Sequence, residues 1–290
     1  MWSPMTVDEF AESESANGAE ITQVDGFYWR KIRPFFYRPL LVHQSYSPDE
    51  IPLPPGKFSA CQYVVKDASQ ANSNINLMVY DDLANYSIEN CRKHHRRHLR
   101  AALKSGMVFR PIETVEELVT KGYPVYCSFY ERSRYDFGKD RLDKKVYYQW
   151  AEHQINHKGV LVMGVFLNDE LLGIYISCRI NNTVYLKTAI NSKEAIRLRA
   201  PELSWHAYRE TAREDRTIDL IVDGPYVPSD GINAFKFRRG ARAIALPAYL
   251  DLNPLLLKGL RLFSSTVYQA LKGFEEDEMN EKDFSDCHEG

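Results

Sequence analysis

The chain has 290 residues, with 44% apolar and 26% charged content, the composition of an ordinary globular protein with a substantial core. A formal charge of −2 excludes a surface built throughout for nucleic acid, and no apolar run approaches the length of a membrane helix. Five cysteines, Cys61, Cys91, Cys127, Cys178 and Cys287, are odd in number and lack paired spacing, which fits reduced thiols and a cytoplasmic location.

Residues 1–20 are small, polar and acidic, and are expected to be mobile. Residues 27–55 are rich in aromatics and proline, with one edge strand expected at residues 38–42. Residues 58–66 and 75–80 follow as two further strands. Residues 85–104 form the strongest helix of the first half, with Ser87 as a partial cap and Gly106 as its stop. It carries Arg92, Lys93, Arg96, Arg97, Arg100 and Lys104, with Ile88, Cys91, Leu99 and Leu103 expected inward. Such a helix is either a solvated face or a contact surface for phosphate or RNA. Cys91, His95 and His98 have metal-ligand spacing, but the surrounding cations oppose an ion, and no metal site is expected.

A strand over residues 107–112 precedes two short helices, one opened by Thr114 and one over residues 126–134. A charged connection over residues 136–145 leads to a helix at 146–157, on which Val146, Trp150 and His153 align. His153 and His157 are four apart without the rest of a zinc motif, so a helix surface is expected. Residues 160–167 and 171–178 form an apolar hairpin around Asn168-Asp169-Glu170, and a third strand spans residues 184–190 after Asn181-Asn182. Residues 191–200 are a glycine-free loop, and Pro201 opens the next helix at its favoured first position.

Residues 217–250 are the centre of the chain. A β-branched run at 218–222 is closed by Asp223-Gly224-Pro225. Residues 228–231 are loop chemistry with Asp230 as a cap, residues 232–239 a helix stopped by Gly240, and residues 243–246 begin a last strand before Pro247. Lys236, Arg238 and Arg239 sit together just before that glycine. Residues 275–290 are acidic with almost no apolar content, and are expected as an appendage.

The run Phe235-Lys236-Phe237-Arg238-Arg239-Gly240-Ala241 resembles the F-K-x-x-F-G text of the Fem-type branch of the GNAT acyltransferase superfamily, with Arg239 in place of the second aromatic. The order of elements and the basic helix at residues 85–104 resemble that branch as well. The resemblance implies an α/β GNAT-like fold, a mixed central sheet with helices on both faces. Its implied layout is a mobile segment at 1–20, a shortened N-terminal GNAT-like lobe at 21–104, a catalytic domain at 105–272 and an acidic disordered tail at 273–290. It also implies two central strands, near residues 184–190 and 218–222, that splay to admit an acyl donor.

On that resemblance the reaction is transfer of an acyl group from a thioester, on coenzyme A or an acyl-carrier protein, to an amine or peptide acceptor by direct attack. No permanently bound cofactor is implied; the acyl donor is a co-substrate. Lys236 falls four residues before the glycine, where the superfamily more often has a proton-donating tyrosine, and is the implied electrostatic group. Asp223 is the carboxylate that takes or orients the amine proton, and Tyr226 is a lesser candidate. The donor's phosphates would be met by Lys193, Arg197, Arg199, Arg238 and Arg239, because the usual glycine-rich turn is missing. Two alternatives stand beside this: a charged tRNA as donor, contacted by the basic helix, and a non-catalytic binding protein that keeps the fold.

Overall fold

The computed structural model describes residues 2–133, 138–226 and 230–279, without the Asp230 side chain; residues 228 and 229 of the expected loop and most of the expected tail lie outside the described residues, while residues 230 and 231, expected in that loop, already belong to a helix. In chain order the elements are β1 (Pro4–Met5), α1 (Val7–Ala16), β2 (Ile21–Val24), β3 (Phe27–Arg33), β4 (Phe36–Pro39), β5 (Ser45–Tyr46), β6 (Ala60–Val65) and β7 (Ser73–Tyr80). A 3-10 turn over Ile88–Asn90 leads into α2 (Lys93–Leu103), β8 (Val108–Pro111), α3 (Val115–Arg132), α4 (Lys144–Asn156), β9 (Val160–Leu167), β10 (Glu170–Ile180) and β11 (Thr183–Asn191). Then come α5 (Lys193–Arg197), α6 (Ala200–Glu214), β12 (Leu220–Pro225), α7 (Asp230–Phe237), β13 (Arg242–Asp251), α8 (Pro254–Phe263) and α9 (Ser265–Lys272).

The chain forms two compact units that interleave in sequence. The first is Met1–Phe10, Val79–Gly224 and Arg238–Ala241; the second is Ala11–Met78, Pro225–Phe237 and Arg242–Gly290.

In the first unit the strands run β12-β11-β10-β9-β8. The β9–β10 hairpin turns on Asn168 and Asp169, with φ of 49° and 67°. Two left-handed residues make the tight turn that matches strand twist, so it is one residue shorter than the three-residue turn expected. β10 is buried along nearly its whole length because it is covered on both faces. Ile174 and Ile176 face Tyr126, Tyr147 and Trp150 of α3 and α4, while Tyr175 meets Phe109 and Trp205. α3 is one helix rather than two, continuous through Pro124. Burial of Leu118, Val125 and Tyr126 against α4 offsets the lost backbone bond. α4 is capped by Asp143, which accepts from the backbone N–H groups of Lys145 and Val146, and its inward face is Tyr147, Trp150, Ala151 and Gln154.

The segment expected to be mobile carries β1 and all of α1. β1 pairs with Arg179 and Ile180 of β10, just beyond the last β9 partner, Cys178. Trp2 donates its indole N–H to Ser177 Oγ at 2.8 Å and stacks on Tyr208. The acidic composition hid three apolar anchors, Trp2, Met5 and Phe10, all buried. Buried aromatics of this size outweigh the ordering entropy of a short segment.

In the second unit the strands run β2-β3-β4-β6-β13-β7, with β5 alongside β6. Trp29, Cys61, Tyr63 and Val65 form one core cluster. The hairpin from β2 to β3 turns on Asp25 and Gly26, both at positive φ. β13 continues through Pro247 to Asp251. Its register with β6 begins only at Ala248, so the absent proline N–H breaks none of those pairs. The first residues of the expected tail are packed. Phe274 donates its N–H to Asn76 Oδ1 at 2.8 Å, Glu276 pairs with Arg242, and Met279 is buried.

Candidate active site

Two adjacent strands of the first unit part company. β11 and β12 run parallel, and their register covers only Thr183–Tyr185 against Leu220–Val222. Beyond Tyr185, β11 stays with β10, pairing as far as Asn191 with Gly173. The expected splay therefore opens immediately after Val222, and the next residue is Asp223. Parallel strands that lose their ladder leave backbone groups available to a ligand in the gap.

Asp223 is 7% exposed. Its Oδ2 accepts the Trp205 indole N–H at 3.1 Å and faces the Tyr80 hydroxyl at 3.5 Å. Burial, then the Asp223 charge, pushes the Tyr80 phenol well above its ordinary value, so Tyr80 stays a donor. The two donors fix the carboxylate at the fork of the strands, where it is the negative group nearest the divergence in sequence.

The segment expected as a loop is folded. Ser192 accepts from Ala195 N–H and caps α5, and Arg199 then turns the chain into α6 with φ of 67°. A bulky residue in the left-handed region carries strain of the order of 1 kcal/mol, held here by the two flanking helices. In the first turn of α6, Glu202 is buried and receives Arg239 Nη2 at 2.6 Å and His95 Nδ1 at 2.8 Å. Burial pushes the Glu202 carboxyl up, but the His95 hydrogen bond and the Arg239 charge outweigh it and leave it below the usual range. Arg209 Nη2 approaches His95 Nε2 at 3.3 Å and stacks over the Tyr86 ring at 4.0 Å. His95 thus bridges Glu202 at Nδ1 and Arg209 at Nε2; burial pushes its imidazole down, but hydrogen bonds to Cys91 and Glu202 outweigh it and raise it above its ordinary value.

A cationic surface lies beside this buried network. His94 and His98 stack at 4.0 Å on α2. Burial, then Arg97, Arg238 and Arg199, push His94 down; burial, then Arg199, push His98 down to about 4. Arg97, Arg199 and Arg238 are all exposed. Three elements distant in sequence thus contribute one positive field around two neutral imidazoles, an arrangement suited to an anion.

Of the residues expected from sequence, Asp223, Arg199 and Arg238 belong to this unit and share its network or its surface. Arg239 does not reach solvent; its charge is committed to Glu202. Arg197 is exposed and paired with Glu194, three residues before it, and Lys193 is exposed. Lys236 and Tyr226 belong to the second unit. Tyr226 bonds through its N–H to the Asn76 carbonyl, and its ring meets Phe274 edge-on at 5.6 Å. Lys236 is half-buried on α7. Tyr80, Trp205 and Glu202 are not singled out by the sequence, and His95 stands out there only for its metal-ligand spacing with Cys91 and His98. Glu202 follows the helix-opening Pro201, yet nothing in the sequence pairs it with His95 or Arg239. His153 and His157 have rings 5.1 Å apart, and among the described residues no group of three metal-ligating side chains forms.

No family model matches the sequence, and no curated protein matches it. Solved structures do. The C-terminal domain of a putative lysylphosphatidylglycerol synthetase from Agrobacterium fabrum superposes with a TM-score of 0.58 at 12% identity, covering 95% of each chain. FemX gives 0.57 at 11% identity, over 89% of this chain and 94% of its own. The fold is Fem-type. L-PGS from Bacillus licheniformis agrees, with a TM-score of 0.56 at 11% identity over 93% of this chain and 98% of its own. The α/β fold implied by the residue 235–241 motif, a mixed sheet with helices, is the fold observed, and at these identities the likeness is one of fold. Among the described residues no helix is long and apolar enough to cross a membrane.

Proposed function

We propose that this Fem-type chain is an acyltransferase that joins an acyl group from a phosphate-bearing thioester, on coenzyme A or an acyl-carrier protein, to an amine. The observation that carries the reading is the fork of β11 and β12 with the buried Asp223 carboxylate at its opening. In the reaction the amine nitrogen attacks the thioester carbonyl, a C–N bond forms, the C–S bond breaks, and the thiol leaves with a proton. The amine must shed a proton as it attacks, and Asp223, fixed by Trp205 and Tyr80, is the group proposed to orient or accept it. Lys236 is proposed as the cation that offsets charge developing on the carbonyl oxygen or leaving thiolate, with Tyr226 as a lesser candidate. What supports Lys236 is its place in the motif, four residues before Gly240.

Arg199 and Arg238, with Arg97, are the proposed phosphate contacts. Arg239 is dropped from that set because it is held by Glu202. A buried carboxylate in the first turn of α6 also weighs against seating a pyrophosphate there, since two anions would share one helix terminus. That supports a donor gripped by side chains.

A second reading, a charged tRNA as donor, is favoured by α2 and its C-cap, where Lys93, Arg97, Arg100 and Lys104 are exposed. Titrating the protein separately with acetyl-coenzyme A, long-chain acyl-coenzyme A, an acyl-carrier protein and charged tRNA, and following thermal stabilisation, separates the readings. A thioester that stabilises the wild type, with about tenfold weaker binding in Arg199→Ala/Arg238→Ala, supports the first. Stabilisation by charged tRNA alone replaces it with the second. Binding without transfer to any amine leaves a non-catalytic protein.

A further inference from the structure

The second unit carries an exposed apolar ridge that the reaction does not use. α8 is ten residues long, PLLLKGLRLF, opened by Asn253, whose side chain accepts the Leu255 N–H. Its residues fall into three stripes. Leu257 packs against the cluster of Phe36, Ala60 and Leu250, which also holds Leu271 of α9, and Leu260, three residues on, is half-buried beside it. Leu255 and Leu262, seven residues apart, share a second stripe with Leu256 and Phe263, also seven apart, because seven residues are close to two helical turns. These four are exposed by 76%, 78%, 60% and 90%. Lys258 and Arg261, three apart, form the third stripe and are exposed as well.

A solvated helix does not keep three leucines and a phenylalanine in water without a use for them. The charge says what the use is. From Asn253 to Lys272 the sequence has three cations and no carboxylate, in a chain with 39 acidic residues. An apolar stripe bordered by cations is complementary to a surface that is oily inside and negative at its rim. We propose that α8 docks the protein on the surface of an anionic phospholipid bilayer, with Leu255, Leu256, Leu262 and Phe263 entering the acyl boundary and Lys258 and Arg261 on the headgroups. The helix lies in the interface and spans nothing. Leu257 and Leu271 keep it fastened to its own sheet.

The test is co-sedimentation of the full chain with vesicles of phosphatidylcholine alone and of phosphatidylcholine mixed with phosphatidylglycerol. Wild type pellets with the anionic vesicles and far less with the neutral ones, and added salt weakens the binding. Leu262→Ser/Phe263→Ser lowers the partition coefficient at least about tenfold, from the apolar area no longer buried. Lys258→Gln/Arg261→Gln lowers it about fivefold per cation on anionic vesicles only. Both variants keep the wild-type melting temperature, since the replaced side chains are exposed. Protein that stays in the supernatant with both vesicle types overturns the proposal. So does a self-association in sedimentation velocity that Leu262→Ser/Phe263→Ser dissolves, which assigns the ridge to a second copy of the chain.

Discussion

Arg239 Nη2 donates to Glu202 Oε1 across 2.6 Å, and both side chains are more than nine-tenths buried. A motif arginine that would otherwise meet a donor phosphate is instead a strut between the segment after α7 and the first turn of α6. Glu202→Gln leaves Arg239 with no countercharge in that pair, and breaking a buried pair typically costs roughly 3–5 kcal/mol. Chemical denaturation should show a loss of about 3 kcal/mol. A loss below about 1 kcal/mol would mean that the pair is exposed in solution.

Three histidines contribute to the acid limb of stability. Burial pushes His43 down to about 4, and burial followed by a neighbouring arginine does the same for His98 and His206. Each binds its proton more readily in the unfolded chain, near the ordinary value of 6.5. Their contribution is complete above pH 6.5 and is lost as pH falls toward 4. The melting temperature should drop across that window. His98→Gln/His206→Gln should flatten the drop, with glutamine still able to accept from the Tyr86 hydroxyl, which lies 2.9 Å from His206 Nδ1. An unchanged slope would contradict the assignment.

The acidic end is divided by its contacts. Truncation after Lys272 removes the Phe274–Asn76 bond, the Glu276–Arg242 pair and the buried Met279. It should cost about 3 kcal/mol, chiefly through the lost methionine and its cavity. Truncation after Met279 removes an acidic, sparsely apolar stretch and should change stability by less than about 0.5 kcal/mol. Equal melting temperatures for the two truncations would show that the packed segment contributes nothing.

Periodicity and turn chemistry carried the strands of the first unit well. The apolar runs that became β9, β10 and β11 were legible because β-branched residues are bounded by Asn-Asp and Asn-Asn. The fork followed from the family resemblance and the order of elements. Charge misled in two places. The acidic N-terminus concealed Trp2 and Phe10, whose partners, Ser177 and Tyr185, lie some 175 residues away. Asp25-Gly26 between β2 and β3 is a strong hairpin signal, but the aromatic and proline-rich residues that follow lack the apolar–polar alternation that marks a strand. The Asp223–Trp205–Tyr80 and Glu202–His95–Arg239 groups come from elements far apart in the chain, and no spacing rule joins such residues.

Lys236 and Arg238 are two positions apart in the sequence and should behave differently. Lys236→Met keeps most of the aliphatic stem and removes the charge; turnover should fall roughly 100- to 1000-fold, the usual cost of one oxyanion contact, with the fold intact. Arg238→Ala should act on donor binding, raising KM about tenfold and sparing kcat. Equal kcat values in the two variants would sink the assignment of Lys236.

The central claim is that an amine is acylated at the fork beside Asp223. It is tested most directly by single-turnover transfer from the donor that stabilises the protein to a set of amines, with amide product followed by mass spectrometry for wild type and Asp223→Asn. Asparagine keeps an acceptor for the Trp205 indole and removes only the charge. The account predicts amide formation by the wild type and a rate at least about 100-fold lower in Asp223→Asn, with unchanged melting. Equal rates in the two proteins, or no amide from any donor that binds, would contradict it.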